Sequence, residues 1–170
     1  MKKQIFLIGY RATGKTTVGK EISKIIGWNF VDIDSEIERI TSKKISDIFK
    51  NDGEDKFREI ESEVLKTLST LDNTVFSTGG GIILLEKNRE IIKEGFVVLL
   101  EASIQTIMKR MMNDNSRPPL TNLTLEEEIQ KTLSQRQPIY NQVYHVKIVN
   151  ENISVQTIAN LIANIIPFKG

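Results

Sequence analysis

The chain contains no cysteine. That excludes disulfides, thiolate metal sites and a thiol nucleophile, and it suits a cytoplasmic protein. Charge of one sign is also missing in excess: the formal net charge is +1, so nothing favours a polyanionic partner such as nucleic acid. No apolar run approaches the ~20 residues needed to span a membrane. Lys2-Lys3 precede an apolar stretch, but Gly9-Tyr10-Arg11 break it too soon for a secretory signal. The one histidine, His145, opens the last strand and is assigned no catalytic role. Internal repeats, low-complexity tracts and linkers are absent. The 170 residues give room for one domain, spanning 1–170, with a full core.

What is present begins with Gly9-Tyr10-Arg11-Ala12-Thr13-Gly14-Lys15-Thr16, which matches G-x-x-x-x-G-K-[ST], the phosphate-binding P-loop. Gln4 to Ile8 read as a buried strand. Val18, Ile22, Ile25 and Ile26 mark one face of a helix stopped by Gly27. Strand, glycine loop and helix are the context the motif requires. The loop N–H groups and the helix N-terminus form an anion cradle. Lys15 can reach the β- and γ-phosphates of a nucleoside triphosphate, and the Thr16 hydroxyl can ligate Mg²⁺.

Further along, short apolar runs at Phe30-Val31, Val75-Phe76, Phe96 to Leu100 and Val146 to Val149 alternate with amphipathic stretches. This pattern predicts an α/β fold, a central parallel sheet of about five strands between two helical layers. Ligands in such sheets bind beyond the C-terminal strand ends. The residues there are Asp32 and Asp34, Thr78 to Gly81, Glu101 to Ser103 and Asn150 to Asn152. Asn113 to Asn122, containing Arg117-Pro118-Pro119, lacks a helical pattern and is expected to be a mobile lid.

Several polar residues stand out against these patterns. Asp32 and Asp34 supply carboxylates for a metal and for a substrate hydroxyl proton. Ser35 with Glu38 reads as a capping box, so capping is not expected to account for the aspartates. On the helix from about Gly53 to Thr70, the apolar stripe is Phe57, Ile60, Val64, Leu65, Leu68 and Leu71. It spans roughly −60° to +80° about the axis, and Glu61 falls inside it at about +40°, with Arg58 at its edge. A charge there must be paired or line a polar site. A structural Arg58–Glu61 pair is one reading, a ligand site the other. On the helix from Leu125, the inward face is Leu125, Ile129, Leu133, Ile139 and Tyr140, and Arg136 points along it before Pro138, which is expected to kink the helix. Two inward arginines suit bidentate capture of an anion, although Arg136 could also snorkel to solvent. Gly79-Gly80-Gly81 let a ligand approach the backbone or simply make a turn. Arg117 either swings onto the transferring phosphate or is a solvated loop residue. Asp72-Asn73 and Lys87 to Glu90 read as solvated surface, and Met108, Met111 and Met112 as packing.

Together the motifs GYRATGKTT, DID at Asp32 to Asp34, GEDKFREIE at Gly53 to Glu61, STGGG at Ser77 to Gly81, RPPL at Arg117 to Leu120 and RQPIY at Arg136 to Tyr140 resemble the shikimate kinase family over nearly the whole chain. The resemblance implies Mg²⁺-dependent transfer of the ATP γ-phosphate to the 3-hydroxyl of shikimate, on the route to chorismate and the aromatic amino acids. By the same resemblance Ala12, Thr13, Gly14, Lys15, Thr16 and Thr17 hold the nucleotide phosphates, Arg110 lies against adenine, and Thr16 and Asp32 serve the metal. Asp34 would grip the reacting hydroxyl. Arg58 and Arg136 would clamp the shikimate carboxylate, Gly79, Gly80 and Gly81 line the ring, Glu61 supports Arg58, and Arg117 closes from the lid. Lys15, Asp34 and Arg117 are the catalytic set, and the helical region of about 34–62 binds substrate. Small-molecule substrates and a monomeric cytoplasmic enzyme are implied. Two departures are visible: Ala12 stands where glycine is common, and the lid carries a second proline.

Alternatives are another small-metabolite kinase of this fold, such as a gluconate kinase, or a catalytically silent ATP-binding regulator. A nucleoside monophosphate kinase is disfavoured by the lack of a base-recognition pocket. A GTPase switch would want Asn-Lys-x-Asp, which is absent.

Overall fold

Gln4–Ile8 forms β1 and is buried at every position, as a strand must be when helices cover both faces of its sheet. The computed structural model describes residues 1–112 and 124–168. After β1 come α1 (Lys15–Ile26), β2 (Asn29–Asp32), α2 (Ile33–Thr41), α3 (Ile45–Asn51), α4 (Gly53–Leu68) and β3 (Thr74–Ser77). A 3₁₀ turn (Ile82–Leu84) then leads to α5 (Glu86–Lys93), β4 (Phe96–Glu101), α6 (Ile104–Met112), α7 (Leu125–Tyr140), β5 (Val146–Val149) and α8 (Val155–Ile165). The expected lid, with Arg117, Pro118 and Pro119, lies outside the described residues.

The strands pair all-parallel in the order β2-β3-β1-β4-β5. Alternate residues divide the core between two faces. Phe6, Ile8, Phe76, Val97 and Leu99 pack with Ile33, Ile37, Ile48, Phe57, Leu65, Ile92 and Tyr140 from α2, α3, α4, α5 and α7. Ile5, Leu7, Val75, Val98, Leu100 and Ile148 pack with Val18 and Ile22 of α1 and Ile158, Ala159 and Ile162 of α8. The period of two places a strand's neighbouring residues on opposite faces, so the three-layer arrangement follows from the sequence of each strand. The strand order reverses at β1, which opens a crevice beyond its C-terminal end.

Several local expectations are corrected. Ile25 is 39% exposed and does not share the buried face of Val18 and Ile22. Leu71 lies beyond the end of α4 and is exposed. Ser35 is not a helix cap: α2 starts earlier, and Asp32 caps it by accepting from the Ser35 N–H at 3.1 Å. Glu38 instead accepts from the Ile45 N–H at 3.0 Å and pairs with Lys44, which joins α2 to α3. Asn88 is fully buried, not solvated, and donates to the Ile82 carbonyl at 3.1 Å. Met112 is exposed, whereas Met108 and Met111 pack against Tyr10, Ile107 and Ile129. Helix α7 runs through Pro138 to Tyr140. His145 serves the sheet: its N–H donates to the Val97 carbonyl at 2.9 Å and its Nδ1 accepts from the Val97 N–H at 3.0 Å.

Candidate active site

The loop between β1 and α1 carries its carbonyls on partners. Lys15 Nζ donates to the carbonyls of Gly9 at 3.0 Å and Tyr10 at 2.7 Å, and Thr13 Oγ1 donates to Tyr10 at 2.8 Å. Ala12 adopts φ 62°, the left-handed region a side chain disfavours, and Gly14 caps α1 at φ 95°. Thr16 and Thr17 stand exposed in the first turn of α1.

Parallel pairing places Asp32 of β2 beside Ser77 of β3. The Thr16 hydroxyl meets both, donating to Asp32 Oδ2 at 2.8 Å and lying 3.1 Å from Ser77 Oγ. One carboxylate and two hydroxyls form an all-oxygen set next to the loop. That chemistry fits a hard divalent cation of the Mg²⁺ type, which keeps several waters and takes its remaining ligands from phosphates. Sequence reading placed Thr16 and Asp32 here but gave Ser77 no role. Its position as the last residue of a strand neighbouring β2 was the available signal.

On the other side of the loop, Gly79, Gly80 and Gly81 form a shelf. A Cβ on Gly79 would lie 2.9 Å from both Asp34 Oδ1 and Glu61 Oε1. One on Gly80 would lie 3.5 Å from Arg136 Nη1, and one on Gly81 only 2.6 Å from the Arg58 guanidinium carbon. The three glycines therefore allow two carboxylates and two guanidiniums to converge on one backbone segment. The inward charges therefore lie together against this backbone segment, where side chains on the glycines would collide with Asp34, Glu61 and Arg58.

Arg58 Nη1 donates to Glu61 Oε2 at 2.8 Å, and its other nitrogens reach Glu54 Oε1 at 3.0 and 3.3 Å. Its guanidinium sits 5.1 Å from the centre of the Phe57 ring. Burial works against the charge on Arg58, yet Glu61 and Glu54 outweigh it and raise its pKa. Glu61 is completely buried, and burial pushes its carboxyl above the usual range against the pull of Arg58. Its Oε1 has no hydrogen-bond partner among the described residues. A buried acceptor without a donor is costly unless a water or a ligand group satisfies it.

Tyr140 was read only as core. Its hydroxyl donates to the Gly80 carbonyl at 2.5 Å, which fixes the shelf, and burial pushes its pKa up to about 12. Arg110 lies against the phosphate loop itself, donating to the Ala12 carbonyl at 3.1 Å and to the Asn150 carbonyl at 3.1 Å. No helix among the described residues is long and apolar enough to cross a membrane.

The parallel sheet of this order, the cradle beyond β1 and a separate shelf of converging charges define a P-loop kinase of small molecules. A shikimate kinase family profile matches residues 11–167. A shikimate kinase of Nostoc punctiforme is 36% identical over 163 residues, covering 96% of this chain and 90% of that protein. One of Thermodesulfovibrio yellowstonii is 40% identical over 141 residues, covering 82% of each. The structure of shikimate kinase from Acinetobacter baumannii in complex with shikimate superposes with a TM-score of 0.90 at 36% identity, covering 95% of this chain and 91% of that one. The chain belongs to the shikimate kinase family.

Proposed function

We propose that this chain transfers the γ-phosphate of ATP to the 3-hydroxyl of shikimate, giving shikimate 3-phosphate and ADP. The observation that carries the reading is the convergence of Arg58, Arg136, Asp34 and Glu61 on the Gly79 to Gly81 shelf beside the phosphate loop. Shikimate offers a carboxylate for the arginines and hydroxyls for the acids, and a P-loop kinase without such a second substrate has no use for the shelf.

In this reading Lys15 leaves the Gly9 and Tyr10 carbonyls for the β- and γ-phosphates, where it neutralises charge in the transition state. Loop residues Ala12 to Thr17 supply N–H and hydroxyl donors. Arg58 and Arg136 grip the carboxylate and so fix the ring's orientation. Asp34 takes the proton from the 3-hydroxyl as that oxygen bonds to the γ-phosphorus and the bond to the ADP oxygen breaks. Thr16 and Asp32, with Ser77 beside them, would hold Mg²⁺. When bound, that ion neutralises charge on the β- and γ-phosphates. Arg110 flanks the adenine, and Arg117 adds charge at the transferring phosphate.

ADP release measured with shikimate, quinate, gluconate and AMP as acceptors tests the assignment. Turnover with shikimate well above the other three is expected. Equal or greater turnover with gluconate or AMP would overturn it.

A further inference from the structure

Two loop carbonyls are tied to side chains from distant parts of the chain. The Ala12 carbonyl accepts from Arg110 Nη1 at 3.1 Å, and the Thr13 carbonyl accepts from Asn150 Nδ2 at 2.9 Å. Asn150 is buried, immediately after β5, and its own carbonyl accepts from Arg110 Nη2 at 3.1 Å. Arg110, Asn150 and the loop thus close into one ring of hydrogen bonds. Gly14 makes room for it, because a Cβ there would lie 2.5 Å from Asn150 Nδ2.

A trans peptide is planar, with its carbonyl and its N–H pointing in opposite directions. No peptide bond in the described structure is cis. Tying the Ala12 carbonyl to Arg110 therefore turns the Thr13 N–H to the side facing away from Arg110. Tying the Thr13 carbonyl does the same for the Gly14 N–H. These are donors of the cradle. The loop needs such restraint here, since Ala12 at φ 62° is held in a conformation that its side chain resists.

We propose that Arg110 and Asn150 are positioning residues for the polyphosphate: they hold the loop's N–H groups toward the anion, whether or not a nucleobase is present. This inference rests on the phosphate-loop reading of the site, and it gives Arg110 a task separate from contact with adenine.

Calorimetric titration with inorganic tripolyphosphate and with ATP separates the possibilities. Asn150→Ala removes one tie without changing charge. Arg110→Lys keeps the charge but loses the fork that reaches two carbonyls at once. Each variant is expected to weaken tripolyphosphate about tenfold, the scale of one hydrogen bond to a charged group, and ATP by the same factor. Shikimate affinity without nucleotide is expected to stay within about twofold, the margin that separates a local change in the loop from a general loss of structure. Unchanged tripolyphosphate binding with weakened ATP would overturn the proposal and leave Arg110 acting on the base alone. Unchanged binding of both, or a parallel loss of shikimate affinity, would also overturn it. If Asn150→Ala fails to fold, Arg110→Lys decides by the same readout. A parent protein that binds neither ATP nor tripolyphosphate would sink the cradle reading itself, and one that binds only ATP would sink the preformed loop.

Discussion

Arg11 in the phosphate loop is ion-paired with Glu128, a carboxylate buried within α7. The pair fastens the nucleotide loop to the helix that also carries Arg136. Arg11 is itself only 12% exposed, and its guanidinium lies 5.7 Å from the centre of the Tyr10 ring. Removing one partner of a buried pair leaves the other charge desolvated. Glu128→Ala is therefore expected to cost about 3–5 kcal/mol of stability. Denaturant unfolding checks this, and a loss below about 1 kcal/mol would mean that the pair behaves like a surface bridge.

Asp34→Asn keeps the shape of the side chain and removes its basicity. Turnover is expected to fall by about 10²–10⁴, the usual contribution of a general base. Affinity for ATP should barely move, since Asp34 faces Gly79 and Glu61 while Asp32 is the residue that meets Thr16. If ATP affinity drops in step with turnover, Asp34 serves the metal instead.

Arg58→Ala and Arg136→Ala are each expected to weaken shikimate binding by about 1.5–3 kcal/mol, the scale of a charge-assisted hydrogen bond. Nucleotide affinity should change by less than about 1 kcal/mol, the low end of coupling between sites. An unaltered KM for shikimate in both variants would return the two arginines to a structural role.

Glu61 couples function to pH. Its folded-state pKa is raised above the unfolded value, chiefly by burial. The folded state therefore binds this proton more tightly than the unfolded chain does. Stability falls as pH rises from the ordinary carboxylate range through the raised value, and stays lower above it. Glu61→Gln removes this dependence. The variant should gain stability over the parent as pH rises toward neutrality, with no gain near pH 4, about the unperturbed pKa of the group. Its affinity for shikimate should nonetheless fall, because Arg58 loses the charge that orients it. Thermal unfolding from acid to neutral pH, together with shikimate titration, checks both halves. A stability difference that shrinks toward neutral pH would contradict the assignment.

Ala12→Gly tests the strain in the loop. A left-handed alanine costs about 1–2 kcal/mol, and glycine returns roughly 0.4–1 kcal/mol of that as entropy of the unfolded chain. A net gain of about 0.5 kcal/mol is expected, visible as a small rise in Tm. A fall in Tm would mean that the loop holds Ala12 without strain.

Patterns of short range were legible in the chain. The P-loop, the five short apolar runs and the amphipathic stretches between them each depend on neighbours in sequence, because backbone geometry repeats every two or 3.6 residues. Glu61 was visible for the same reason, as a charge within an apolar helical stripe, and its partner Arg58 lies one turn away. The helix boundary at Asp32 was not legible, because Ser35 offered an equally good cap by local rules. Tertiary structure alone decided what meets across the crevice. Ser77 reaches Thr16 only through strand register. Asn150 reaches Thr13 across 137 positions of chain, and Arg11 reaches Glu128 across 117. No periodicity links residues so far apart. Their pairing follows from parallel crossovers that return each strand's C-terminal end to the same edge of the sheet, where the phosphate loop and the glycine shelf lie side by side.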